Sequence, residues 1–200
     1  MTHETTPASG MSDPPFPTLE TAPSRPMTKR TPTRPPPAPP PTPAAPSPLA
    51  RAGFEIELGD VMEVLGRELW LEEAWLLSEG QDPVAALFQA REATLLVLPP
   101  PVSTLYLLND AAIPLPAEPP TSLEAGGVRF ERVRRLPVLV EPVGKSAPLP
   151  WNEGLLSEYR GLENDALWVL GHGGHSRVWQ GRAVHTSDVV RWGGGAKTLE

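Results

Sequence analysis

The residues whose types and spacing come nearest to doing chemistry in this 200-residue chain are His172-Gly-Gly-His175. Two imidazoles flanking a two-residue turn would share one strand face with α-carbons about 5.5 Å apart, close enough to hold one metal ion if His185 or Asp188 supplied a third ligand. Such a set would serve a metal-dependent hydrolase. The plainer reading is a pair of solvated turn histidines, because two ligands do not complete a site. Gly174-His175-Ser176-Arg177-Val178 fits a nucleophile elbow at every position but the last. That elbow requires a sharp strand-to-helix turn closed by glycine, whereas Val178 stands there and the residues beyond it continue as a strand. Gly144-Lys145-Ser146 looks like the end of a phosphate-binding loop, but Leu139 occupies the position of the opening glycine. Ala147-Pro148-Leu149-Pro150 then forbids the helix whose N-terminus would hold the phosphate.

Charge offers two further candidates. Arg129, Arg132, Arg134 and Arg135 surround Phe130 and would suit stacking on single-stranded nucleic acid. An exposed strand face paired with nearby acids accounts for them as well. Glu72, Glu73 and Asp60 are the candidate paired carboxylates, yet adjacent strand residues point to opposite faces, so Glu72 and Glu73 cannot meet one substrate. The six tryptophans read as core and hairpin packing rather than as a ligand cage. In the N-terminal segment, Arg34-Pro-Pro-Pro37-Ala-Pro-Pro40 has the basic-x-x-Pro-x-x-Pro spacing that favours polyproline II. Arg34, Pro37 and Pro40 are therefore the candidate partner-binding residues of that segment. A semi-rigid spacer explains the same tract without any reader.

The elements that must position these residues are strands. Placing Gly173-Gly174 in a type I′ turn, where both positions need positive φ, brings His172 opposite His175 and Leu170 opposite Arg177. The same register aligns Val169 with Val178 and Trp168 with Trp179. Phe54–Leu58 and Val61–Leu65 alternate apolar and polar around the Gly59-Asp60 turn, and Thr94–Leu98 and Val102–Leu108 are apolar strands parted by Pro99–Pro101. Val128–Val133 and Leu136–Val140 read as strands. Residues 68–77 and 83–93 suit helix or strand, and both are expected to be strands, with Ser78–Asp82 as the hairpin loop between them.

Composition divides the chain. Sixteen of the 28 prolines precede Leu49, in a stretch with no Trp or Tyr and one Phe, too little apolar surface to offset the entropy of ordering. The expected organisation is a disordered proline-rich arm over residues 1–50, one domain over 51–193 with a proline-rich internal linker at 109–127, and a flexible tail over 194–200. Order should begin near Phe54. The arm holds four basic and three acidic residues, leaving 13 basic against 21 acidic beyond it, a balance that disfavours a phosphate backbone as partner. The absence of Cys excludes thiolate chemistry and fits a reducing, cytoplasmic setting; no run has the length of a membrane span.

Gly59-Asp60-Val61 before Gly66, Trp70-x-Glu72 leading to Leu76-Leu77, Pro150-Trp151, Tyr159-Arg160-Gly161 and Trp179-Gln-Gly-Arg-Ala-Val184 resemble an uncharacterised bacterial β-rich group, domain-of-unknown-function family 4178. The resemblance spans about residues 54–190. It departs at Trp70-Leu-Glu-Glu73, which lacks a Tyr after the acid, and in the long middle linker. It implies a small β-barrel or sandwich of accessory character, sometimes tied to envelope stress, and assigns no site residue. The combined expectation is a mainly β fold, a small antiparallel barrel or sandwich, acting as a non-enzymatic interaction module for another protein, with no cofactor. The alternative is the hydrolase built on His172, His175 and His185.

Overall fold

The computed structural model describes residues 45–102 and 104–192. Arg34, Pro37 and Pro40 lie outside those residues, as does the tail after Trp192. Order starts earlier than Phe54. Pro48–Arg51 form one helical turn, its end capped by the Ser47 hydroxyl, which accepts from Ala50 N at 3.0 Å, and Leu49 is fully buried. Pro at the first helical position and Ser before it are a sound local start signal. What composition misses is that Leu49 packs into a core built from residues as far along the chain as Val184.

In chain order the strands are β1 (Val61–Val64), β2 (Arg67–Trp70), β3 (Glu73–Glu79), β4 (Asp82–Gln89), β5 (Thr94–Val97) and β6 (Leu105–Asp110). They continue as β7 (Ser122–Ala125), β8 (Val128–Pro142), β9 (Glu153–Arg160), β10 (Asp165–His172), β11 (His175–Val184) and β12 (Val189–Trp192). The order β3-β4-β5-β6-β11-β10-β9-β8 closes on itself where β8 pairs with β3, giving an eight-stranded antiparallel barrel. β7 adds to the outer edge of β8, and β12-β1-β2 form a separate three-stranded sheet. No helix among the described residues is long and apolar enough to cross a membrane.

Alternation along the barrel strands produces two apolar faces. Inward-facing Trp75, Leu87, Tyr106, Trp168, Leu170 and Trp179 fill the lumen, as expected of an eight-stranded barrel whose interior is just wide enough for side chains. Outward-facing Leu76, Phe88, Leu95 and Leu107 are covered by Phe54, Met62, Val64 and Leu69 from the small sheet and the chain leading into it. On the opposite wall Phe130, Tyr159, Leu167 and Val169 are covered by Ile113, Leu115 and Leu123. Full burial of such a side chain contributes about 2–3 kcal/mol. β10 is buried on both sides, which is why Ala166–Leu170 is apolar without interruption.

The hairpin register is the expected one. Trp168 pairs with Trp179, Val169 with Val178, Leu170 with Arg177 and His172 with His175, and Gly173 and Gly174 have φ of 57° and 86°. Residues 68–77 and 83–93 contain strands β2, β3 and β4 rather than helices. Two expectations are corrected. Phe54–Leu58 forms no strand; Phe54 N donates to Leu49 O at 3.0 Å, and Phe54 and Ile56 are buried in the core against the outer barrel wall. The proline-rich stretch 109–127 is no free linker: it lies along the barrel wall, with Ala111 N donating to Val178 O at 2.9 Å and Tyr159 Oη donating to Pro120 O at 2.8 Å.

One irregularity decides which arginines enter the barrel. The β8–β9 register shifts between Arg132 and Arg134, so that Arg132 faces Tyr159 and Arg134 faces Glu158, with Val133 as the extra residue. Without that bulge Phe130 and Arg134 would share a face. With it, Phe130 packs on the outer wall while Leu136, Val138 and Val140 point inward.

Candidate interaction face

The small sheet buries Met62, Val64 and Leu69 and turns Val61, Glu63, Glu68, Trp70, Val190 and Trp192 to the other side. Its register aligns Trp192, Val61 and Trp70 in one row and Val190, Glu63 and Glu68 in the next. Two strand spacings separate the indoles, about 10 Å between α-carbons. Trp70 is 60% exposed and Trp192 59%, beside Val190 at 49%. Exposure of two large indoles in one row is uncommon on a surface with no use for them. Glu63 and Glu68 stand directly opposite each other, an arrangement that destabilises a strand pair, and the six side chains of this face include no cation. Trp70 Nε1 donates to Glu68 Oε1 at 2.5 Å, which fixes the indole orientation. Beside Trp70 a groove of about 500 Å³ runs to the turn after β4, lined by Arg67, Glu68, Glu72, Arg91 and Glu92.

No family model, curated protein or solved structure matches this chain.

The exposed indoles correct the reading that assigned all six tryptophans to packing. Trp75, Trp168 and Trp179 are buried, but Trp70 and Trp192 are not. The signal was present: Leu69 and Leu71 take the inward positions, so period two forces Trp70 outward.

The proposed metal ligands do not converge. His172 and His175 pair across their turn, and the His172 ring stacks on Trp151 at 6.2 Å. His185 lies beyond the far end of the ten-residue β11, about 30 Å away at strand rise, and accepts from Ser187 N at 3.2 Å as a cap for the turn Thr186–Asp188. Among the described residues no group of three His, Cys, Asp or Glu is placed to hold a metal ion. His172 instead borders a groove of about 560 Å³ on the outer wall with Pro137, Leu139 and Leu155.

The remaining candidates have structural partners. Arg129 pairs with Glu131 at 2.7 Å, Arg132 Nη1 donates to Pro119 O at 2.9 Å, and Arg135 pairs with Glu118 at 3.0 Å. The cluster is thus dispersed over both faces of β8 rather than gathered into a basic stripe. Asp60 accepts from Glu57 N and pairs with Arg191 at 2.7 Å, Glu73 accepts from Ala147 N, and buried Ser146 accepts from Ala74 N.

A polar cluster inside the barrel was not singled out from sequence. Buried Glu158 pairs with Arg160 at 2.6 Å and Arg134 at 3.3 Å, and Arg160 also hydrogen-bonds the Tyr106 hydroxyl. Burial, reinforced by the Glu158 carboxylate and opposed by Arg160 and Arg134, pushes the Tyr106 hydroxyl up to about 12. Burial also raises that of Tyr159, against the pull of Arg132. For Tyr106 the unfolded chain titrates near pH 10 and the folded chain about two units later. Between those values the folded state holds the extra proton, so this stabilisation is complete below pH 10 and declines by about 1.4 kcal/mol per unit as pH rises toward 12. Phenolate absorbance during an alkaline titration should show neither tyrosine ionising at its ordinary midpoint, and Tyr106→Phe should flatten the fall in stability above pH 10.

Proposed function

We propose that this chain is a non-enzymatic interaction module that docks a basic, proline-bearing segment of a partner protein on the Trp70–Val61–Trp192 face. The observation that carries the reading is the pair of exposed indoles in one sheet row. Polyproline II repeats every three residues at 3.1 Å each, about 9 Å per turn, close to the spacing of the two indoles across the sheet. Prolines three apart would therefore meet successive rings. A cation beside them would relieve the opposed Glu63 and Glu68 carboxylates, and aromatic-lined surfaces are what read proline-rich ligands. The accessory character implied by the resemblance to family 4178 accords with this reading, and the absence of cysteine supports a reducing, cytoplasmic workplace.

The test uses the full chain and synthetic peptides of the form Arg-x-x-Pro-x-x-Pro, with versions lacking the arginine or the prolines. Tryptophan fluorescence should report saturable binding. Trp70→Ala and Trp192→Ala should each weaken it at least about tenfold, as expected of aromatic hot spots, while unfolding midpoints stay near that of the parent. Glu63→Gln with Glu68→Gln should reduce affinity and flatten its salt dependence. Unchanged affinity in the double tryptophan variant would overturn the proposal.

A further inference from the structure

The end of the barrel that holds Glu158 has more hydrogen-bond donors than acceptors. Arg134 and Arg160 bring two guanidinium groups against one carboxylate. Both Glu158 oxygens are already engaged, Oε1 by Arg160 and Oε2 by Arg134, and the Tyr106 hydroxyl lies 3.5 Å from Oε1 and in contact with Arg160. Arg134 Nη2 and Trp168 Nε1 are buried and find no acceptor among the described residues. They are neighbours: the Arg134 guanidinium lies 5.8 Å from the Trp168 ring centroid, and Trp168 meets the edge of Tyr106 at 5.3 Å. Trp168 itself is fully buried.

Buried donors are almost always satisfied, and an excess of them beside net positive charge is the chemistry of an anion site. The mouths of β-barrels are among the usual places for small-ligand sites. The mouth is open at the guanidinium groups, where the Arg134 and Arg160 side chains keep 35% and 40% of their surface, while Arg134 Nη2 and Trp168 Nε1 lie deeper, out of contact with solvent. The Val133 bulge is the device that turns Arg134 inward, and bulges commonly re-aim a side chain beside a site. We infer that this mouth binds a small oxyanion, held by Arg134, Arg160 and the Trp168 indole N–H, with Glu158 orienting the two arginines and opposing a ligand of high charge.

Acetate and inorganic phosphate are the probes, with chloride at equal ionic strength as control. The six tryptophans provide six indole N–H resonances, and that of Trp168 is assigned by its loss in Trp168→Phe, a change that keeps the aromatic packing and removes the donor. Saturable movement of this resonance with acetate would place a carboxylate in the site, and movement with phosphate alone a phosphate. In either case Arg160→Gln and Trp168→Phe should weaken the thermal protection given by that anion at least tenfold. An unmoved Trp168 resonance with both probes, or protection equal to that of chloride, would overturn the inference. Should Arg160→Gln fail to fold, the resonance of the parent protein still decides it.

Discussion

Gly181→Ala should lower stability by about 3 kcal/mol or more, the upper part of the range for overpacking, because nothing flexible is available to yield. A β-carbon at this position would lie 2.0 Å from the Leu107 carbonyl oxygen and 2.9 Å from both Leu107 C and Leu108 Cα. All three are backbone atoms of β6, so relief means parting β11 from β6. That pair is one of the two seams between the N-terminal and C-terminal halves of the barrel, the other being β3 with β8, and it sets Gly181 opposite Leu108. For a domain of this size the loss corresponds to a fall of about 6–12 °C in melting temperature, measurable by circular dichroism. Gly174→Ala is the control. It sits at φ 86° with nothing within 4 Å of its would-be β-carbon, so it carries only left-handed backbone strain of about 1 kcal/mol. Equal losses in the two variants would show that the close approach at Gly181 has no energetic weight.

Glu158→Ala should cost about 2–4 kcal/mol, and the loss would come from what it leaves behind. Arg134 and Arg160 would keep their positions at the barrel mouth without their shared counter-charge. Removing one member of a fully buried pair costs roughly 3–5 kcal/mol, and the remaining exposure of both guanidinium groups brings the expectation down. Glu158→Gln retains shape and an acceptor and should lose about half as much. Removing Glu158 and Arg160 together should destabilise by less than the sum of the single changes, with a coupling of about 1–2 kcal/mol in urea midpoints at constant m-value. Additive effects would mean that the ion pair is structurally idle.

Only the β2 side of the candidate interaction face was open to a local reading. Leu69 and Leu71 set the inward parity of β2 and leave Trp70 outward, whereas in β12 the charged Arg191 takes an inward position only because it pairs with Asp60 from far along the chain, which leaves Trp192 outward. What could not be read locally is that the two tryptophans share a row, because β12 reaches β1 only after the chain has built the whole barrel between them. The arginines of β8 present the converse case. Phe130, Arg132, Arg134, Leu136, Val138 and Val140 alternate without a break in the sequence, and nothing in that pattern marks Val133 as the residue the ladder omits. The histidines failed as a cluster for a metric reason: His172 and His175 are tied by a local turn, whereas the position of His185 depends on the length of β11.

By itself the sequence determined the β class and the hairpin through Gly173-Gly174 with its register. Turn chemistry and period-two alternation act between residues close in the chain, so their outcome is written locally. Only the tertiary structure decided the closure of β8 onto β3 and β6 onto β11, the burial of Leu49, the covering of one wall by residues 111–125, and the exposure of Trp70 and Trp192 together. Each of these joins segments tens of residues apart. The entropy of closing such loops varies slowly with their length, so local pattern carries little information about which edges will meet.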